Sequence, residues 1–171
     1  MKIVDNALPD TLANEIEALL FSNNFPWFFM DDITYRNNPN VKDKTMAFSH
    51  LFYSNGAINS NSFEMIKVIP NTLGETGDML LARSFLQLPV STTRLHNNIH
   101  IDYETPHTVC LYYVNDTDGD TFIFANDKKT ITQRISPKKN RCVVFNGSTY
   151  HASSAPTKDK RAIINFDLSI A

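Results

Sequence analysis

Three of the five histidines in this 171-residue chain fall within one twelve-residue stretch, HNNIHIDYETPH (96–107), together with Asp102 and Glu104. His100 and Asp102 are separated by one residue, so on an extended segment their side chains point to the same face. An imidazole and a carboxylate placed like that offer two ligands to one metal ion. A third has to come from elsewhere. His151, in NGSTYHASS just past the apolar run RCVVF, supplies it from a strand end beside the core. His96 and His107 are read as loop histidines on the wrong side of a turn, and His50 in FSHLFY is read the same way.

Two histidines and one carboxylate on one side of an ion leave the opposite positions open, as in the facial triad of non-haem Fe(II) sites. No cysteine joins the set, which argues against structural zinc. Arg161 lies ten residues beyond His151 and opens the strand-like run RAIINFDLSI. Pointing into a barrel, it would give a dicarboxylate a fixed bidentate partner.

The elements that must position these groups follow from hydrophobic patterning. LPDTLANEIEALL (8–20) carries Leu12, Ile16, Leu19 and Leu20 at helical spacing behind Asp10 as N-cap. NSFEMIKVI (61–69) suits a second helix ended by Pro70. Between them lie the aromatic stretch NNFPWFFMDDITY, read as core packing, and a polar region without a clear period that includes the Asn pair at 37–38. From about residue 79 the chain turns to short β-branched and aromatic runs punctuated by NDTDGD, SPKKN and PTKDK, the layout of an antiparallel sandwich or barrel. One domain over 1–171 is expected, with 1–78 as helical and loop support and 79–171 as the β core.

Bulk composition narrows the partners. Sixteen basic residues against eighteen acidic give a formal net charge of −2, and no basic run marks a nucleic-acid binder. No apolar segment is long enough for a membrane helix, and MKIVDNALPD lacks a signal-peptide core. Cys110 and Cys142 sit in apolar runs and read as buried free thiols of a cytoplasmic protein.

Taken together, HID (100–102), HTVCLYYVND, DGDTFIF, ISPKKNRCVVFNGSTYH and RAIINF resemble, in order and spacing, the 2-oxoglutarate/Fe(II)-dependent oxygenase superfamily. The resemblance is to its prolyl 4-hydroxylase-like group of small phage and bacterial members, and covers roughly residues 79–170. It implies a mainly β fold with N-terminal helices and a double-stranded β-helix (jelly-roll, cupin-like) core. It further implies Fe(II) held by His100, Asp102 and His151, 2-oxoglutarate as cosubstrate with its distal carboxylate on Arg161, and O2 as oxidant. Tyr113, Thr121, Asn165 and Gln87 are the further candidates for cosubstrate contacts. Two departures are the DG turn in place of Gly-Gly, and Ile163 where many relatives have Ser or Thr.

The implied reaction is hydroxylation of a C–H bond on a small molecule or protein, with peptidyl proline or another amino-acid side chain favoured. The carboxylate at Asp102 fills the position that halogenating relatives leave open. The alternatives are a zinc-dependent hydrolase with Glu104 as base, and a cupin-like binding module without turnover.

Overall fold

Residues 1–33 and 44–170 are described by this computed structural model, so the Asn pair at 37–38 lies outside the described residues. The elements run β1 (Lys2–Asp5), α1 (Asp10–Leu20), β2 (Phe28–Met30), β3 (Ala47–Ser54), β4 (Ala57–Ile58), α2 (Phe63–Ile66) and α3 (Val68–Thr72). They continue with β5 (Met79–Gln87), β6 (His107–Tyr113), β7 (Thr121–Phe124), β8 (Ile131–Ile135), β9 (Arg141–Asn146), β10 (His151–Ser153) and β11 (Arg161–Ser169). The larger sheet has the order β1-β9-β6-β11-β5-β3-β2, with β4 beside β3, and the smaller has the order β10-β7-β8. All the pairings are antiparallel.

Strand parity sorts the side chains of the larger sheet into two layers. On β11, Ala162, Ile164 and Phe166 join Ile16 and Leu20 of α1 and Ile66 and Ile69 of the short helices in one core. Ile163 faces the other way and packs with Tyr113, Leu111, Ile123 and Phe145 between the sheets. Both faces are covered, so β11 is buried along all but its last residue. The same parity places Arg161, Asn165 and Asp167 with Ile163 on the inter-sheet face. Polar residues in that layer are the ones free to do chemistry.

Several expectations change in the first half of the chain. Residues 1–78, read as helices and loops, also contribute four strands, and β3 is an eight-residue member of the main sheet. The N-cap of α1 is Pro9, and Asp10 is its first helical residue, where its charge still suits the helix N-terminus. The 61–69 segment forms two single-turn helices, with Pro70 inside α3 rather than ending it. Within the aromatic stretch Phe25 is core, whereas Phe28 and Phe29 are exposed. Cys110 and Cys142 are free and buried on adjacent strands. Among the described residues no helix is long and apolar enough to cross a membrane.

Candidate metal centre and cosubstrate pocket

His100, Asp102 and His151 converge, each offering a ligand atom within 4.8 Å of the others. The two histidines meet across an isolated β-bridge, with reciprocal backbone hydrogen bonds of 3.0 Å in each direction. Asp102 follows on a bend rather than on a strand. Each ring is keyed by the carbonyl two residues before it: His100 Nδ1 lies 3.0 Å from Asn98 O, and His151 Nδ1 lies 3.0 Å from Thr149 O. A ring nitrogen donating to a backbone carbonyl leaves Nε2 as the lone-pair nitrogen, the arrangement a metal-binding histidine needs. Burial, and then the neighbouring His151, pull the His100 pKa down to about 4, so its ring is neutral at pH 7. Burial works to raise Asp102, but His151, Arg83 and His100 outweigh it and hold the group ionised. Two imidazoles and one carboxylate form a donor set suited to a divalent ion such as Fe(II).

At the other end of the same pocket lies Arg161, 3 % exposed. Its Nε donates to Gly119 O (2.7 Å), Nη1 to Gln87 Oε1 (3.1 Å) and Nη2 to Thr121 Oγ1 (3.1 Å). Three sequence features hold it there. Gly119 has φ +95°, and a Cβ there would come within 3.0 Å of Arg161 Cδ, so the DG turn needs its glycine. The Asn115 side chain brackets the start of β11, donating to Lys160 O and accepting from Ala162 N. Gln87 stands opposite Arg161 in the β5–β11 register. Burial draws the guanidinium pKa down, opposed by Tyr113 and Asp120. Among the described residues Arg161 has no ion pair. A buried cation without an anion, facing a pocket, fits an anionic ligand.

The remaining candidates divide between the two ends. Thr121 lines the pocket, and its hydroxyl accepts from Tyr113 (2.7 Å), whose own side chain is fully buried. Asn165 sits at the metal end, donating to Asp102 Oδ2 (3.4 Å) and Asp167 Oδ1 (3.2 Å). Ile163 lies between Arg161 and Asn165 on the pocket wall. Glu104, the base of the zinc-hydrolase alternative, is exposed and does not line the pocket.

Sequence reading missed three groups at the metal end. Arg83 of β5 bonds Asp102 and lines the pocket. It sits two residues from Phe85 and four from Gln87, and so shares their face of β5. Asp167 shares the parity of Arg161 and Asn165; burial, and then Asp102, raise its pKa to about 8. His107 is no loop residue. It opens β6, fully buried, with its ring so close over Gly147 that a Cβ there would meet ring atoms at 2.1–2.3 Å. His50 likewise is a buried strand residue, with its ring nitrogens 2.9 Å from Pro26 O and 2.8 Å from Ser60 Oγ. Only His96 stays in a loop, packed on Phe122 and Phe124.

Curated protein sequences give no match to the chain. Solved structures do. A 2OG-Fe(II) oxygenase family oxidoreductase from Burkholderia pseudomallei superposes with TM-score 0.75 at 11% identity, over 98% of this chain and 84% of that one. A Trichoplax adhaerens prolyl hydroxylase, in complex with a hypoxia inducible factor peptide fragment, gives 0.68 at 16% identity over 98% and 83%. A Pseudomonas putida prolyl-4-hydroxylase gives 0.62 at 13% identity over 99% and 92%. These similarities show the double-stranded β-helix fold that the family resemblance implied. The sequence model of the 2OG-Fe(II) oxygenase superfamily matches residues 87–166, the segment that carries His100, Asp102, His151 and Arg161. Over that segment the chain matches the 2OG-Fe(II) oxygenase superfamily, a match that supports a dioxygenase working with Fe(II), 2-oxoglutarate and O2.

Proposed function

We propose that His100, Asp102 and His151 hold the Fe(II), that Arg161 binds the distal carboxylate of 2-oxoglutarate, and that the substrate is a peptidyl proline or another amino-acid side chain. The observation that carries the site assignment is the pairing of two complementary ends in one pocket: a divalent-ion donor set and a buried guanidinium that has no ion pair among the described residues. Arg161 and Asn165 are four residues apart on β11, about 13 Å at the rise of a strand.

When bound, ferrous iron supplies the activation of dioxygen that couples loss of CO2 from 2-oxoglutarate to hydroxylation of a C–H bond. The chain's own residues do the rest. Thr121, Gln87 and Gly119 O fix the Arg161 guanidinium in one orientation, so cosubstrate binding orders little else. Tyr113 holds the Thr121 hydroxyl in place. Phe85, Leu111 and Ile163 make the wall between the ends apolar and limit water there.

Support for an amino-acid substrate comes from the prolyl hydroxylases among the structural relatives, one of which holds a peptide. The net charge of −2 favours a peptide or small molecule over nucleic acid, and the free thiols support a reducing, cytoplasmic setting. The test is conversion of 2-oxoglutarate to succinate, with O2 uptake, in the presence of Fe(II) and proline-containing peptides. Stimulation by such peptides, with a mass gain of one oxygen on the peptide, is expected. Succinate formation that no peptide stimulates, across proline, lysine and asparagine sequences, would contradict the substrate class.

A further inference from the structure

Arg83 occupies an unusual place, a guanidinium on the inter-sheet face of β5, where its neighbours of the same parity are apolar except for Gln87. In register it stands opposite Asn165 of β11. Its Cζ lies 4.9 Å from the Phe85 ring centroid, and its Nη2 donates to Asp102 Oδ1 at 2.9 Å. The other oxygen of the same carboxylate, Oδ2, is the one 3.6 Å from His151 Nε2 and 3.4 Å from Asn165 Nδ2. The two oxygens therefore have divided surroundings, one among the ligand candidates and one on Arg83.

We infer that Arg83 is a positioning residue that keeps Asp102 a one-oxygen ligand, holding Oδ1 so that only Oδ2 enters the metal's coordination shell. This rests on the metal assignment proposed above. Asp102 comes from a bend, so no strand register fixes its side chain. Left alone, a carboxylate is able to turn and give both oxygens to one ion, using a position that cosubstrate or dioxygen needs. A charge-assisted hydrogen bond from a guanidinium stacked on Phe85 prevents that turn. Arginine suits the task better than lysine because its planar fork is rigid and lies flat on an aromatic ring.

A cation so near a divalent ion also repels it, and the two effects predict opposite signs. If repulsion ruled, removing Arg83 would tighten metal binding; positioning demands that it loosen, because an unheld carboxylate has to be ordered as the ion binds. The Asp102 carboxylate already pairs with the guanidinium charge, so positioning wins.

The experiment is Mn(II) binding to the full chain, read without turnover from the electron paramagnetic resonance signal of free Mn(II), in wild type, Arg83→Ala, Arg83→Gln, Arg83→Lys and His151→Ala. We expect about 10- to 100-fold weaker binding in Arg83→Ala and Arg83→Gln, the range for losing a partner of a metal ligand, and partial recovery in Arg83→Lys. Arg83→Gln keeps much of the side chain's stem, so it serves should Arg83→Ala not fold. The visible spectrum of the Co(II)-loaded protein should also change in Arg83→Gln, because a second carboxylate oxygen alters the coordination number. Binding as tight as wild type or tighter, with an unchanged Co(II) spectrum, would overturn the inference. The controls are separable: weak binding in His151→Ala beside wild-type binding in Arg83→Ala removes only the positioning role, whereas wild-type binding in His151→Ala removes the metal assignment itself.

Discussion

The two ends of the pocket are built by different means. Arg161, Thr121 and Gln87 come from β11, β7 and β5, where the pairing register sets each Cα. At the metal end, His100 and Asp102 come from the irregular stretch between β5 and β6, tied to the barrel by the His100–His151 bridge. What register does for the anion end, local hydrogen bonds do for the metal end: the carbonyls of Asn98 and Thr149 on the rings, and Arg83 on the carboxylate. Position is inherited from the sheet in one case and fastened side chain by side chain in the other.

Four substitutions sharpen that contrast. The largest effect is expected for Asp102→Ala, which removes a metal-end group directly and should cut turnover by about a thousandfold or more, the scale for losing a catalytic group; succinate formation measures it. Arg161→Ala comes next, at about 2–5 kcal/mol of cosubstrate binding, the cost of truncating a buried charge partner. It should appear as a raised KM for 2-oxoglutarate with metal binding intact. Tyr113→Phe deletes only the hydroxyl that steadies Thr121, so about 1 kcal/mol is expected, again in the KM for 2-oxoglutarate and not in metal affinity.

The smallest effect lies far from both ends, where β1 pairs with β9. There Arg141 and Lys138 beside Asp5 hold its carboxyl well below the usual carboxylate range. A depressed acid stabilises the fold above its unfolded value and loses that contribution as pH falls through the folded value. Asp5→Asn should therefore lower stability near pH 7, by under about 1 kcal/mol because the pair is partly exposed. The difference from wild type should shrink in acid below about pH 4. Denaturant unfolding at the two pH values checks it.

Legibility in the sequence followed the same division. The strands from β5 onward, except the three-residue β10, were readable because their apolar runs are short and bounded by turn residues, and the order of motifs led to the fold. The three ligand candidates, and Arg161, stood out because each is a polar residue at an abrupt place: HID before an apolar strand, a histidine just after one, an arginine opening one. Arg83 and Asp167 were hidden for the opposite reason. Arg83 sits in a strand covered on both faces, where apolar neighbours mask the alternation, and Asp167 is marked only by sharing the parity of Arg161 and Asn165. β3 was lost because its exposure pattern mixes both faces and is broken by a register shift between Leu51 and Tyr53. His107 looked like a loop residue because it follows Pro106, while its burial comes from a distant neighbour, Gly147.

Anaerobic titration of the Fe(II)-loaded protein with 2-oxoglutarate, following the weak visible charge-transfer absorption of the chelate, tests the account most directly. The absorption should appear in wild type, be absent in His151→Ala, and require far more 2-oxoglutarate in Arg161→Ala. Iron that binds without any such absorption in wild type, or an Arg161→Ala titration that overlays the wild type, would contradict the two-ended site.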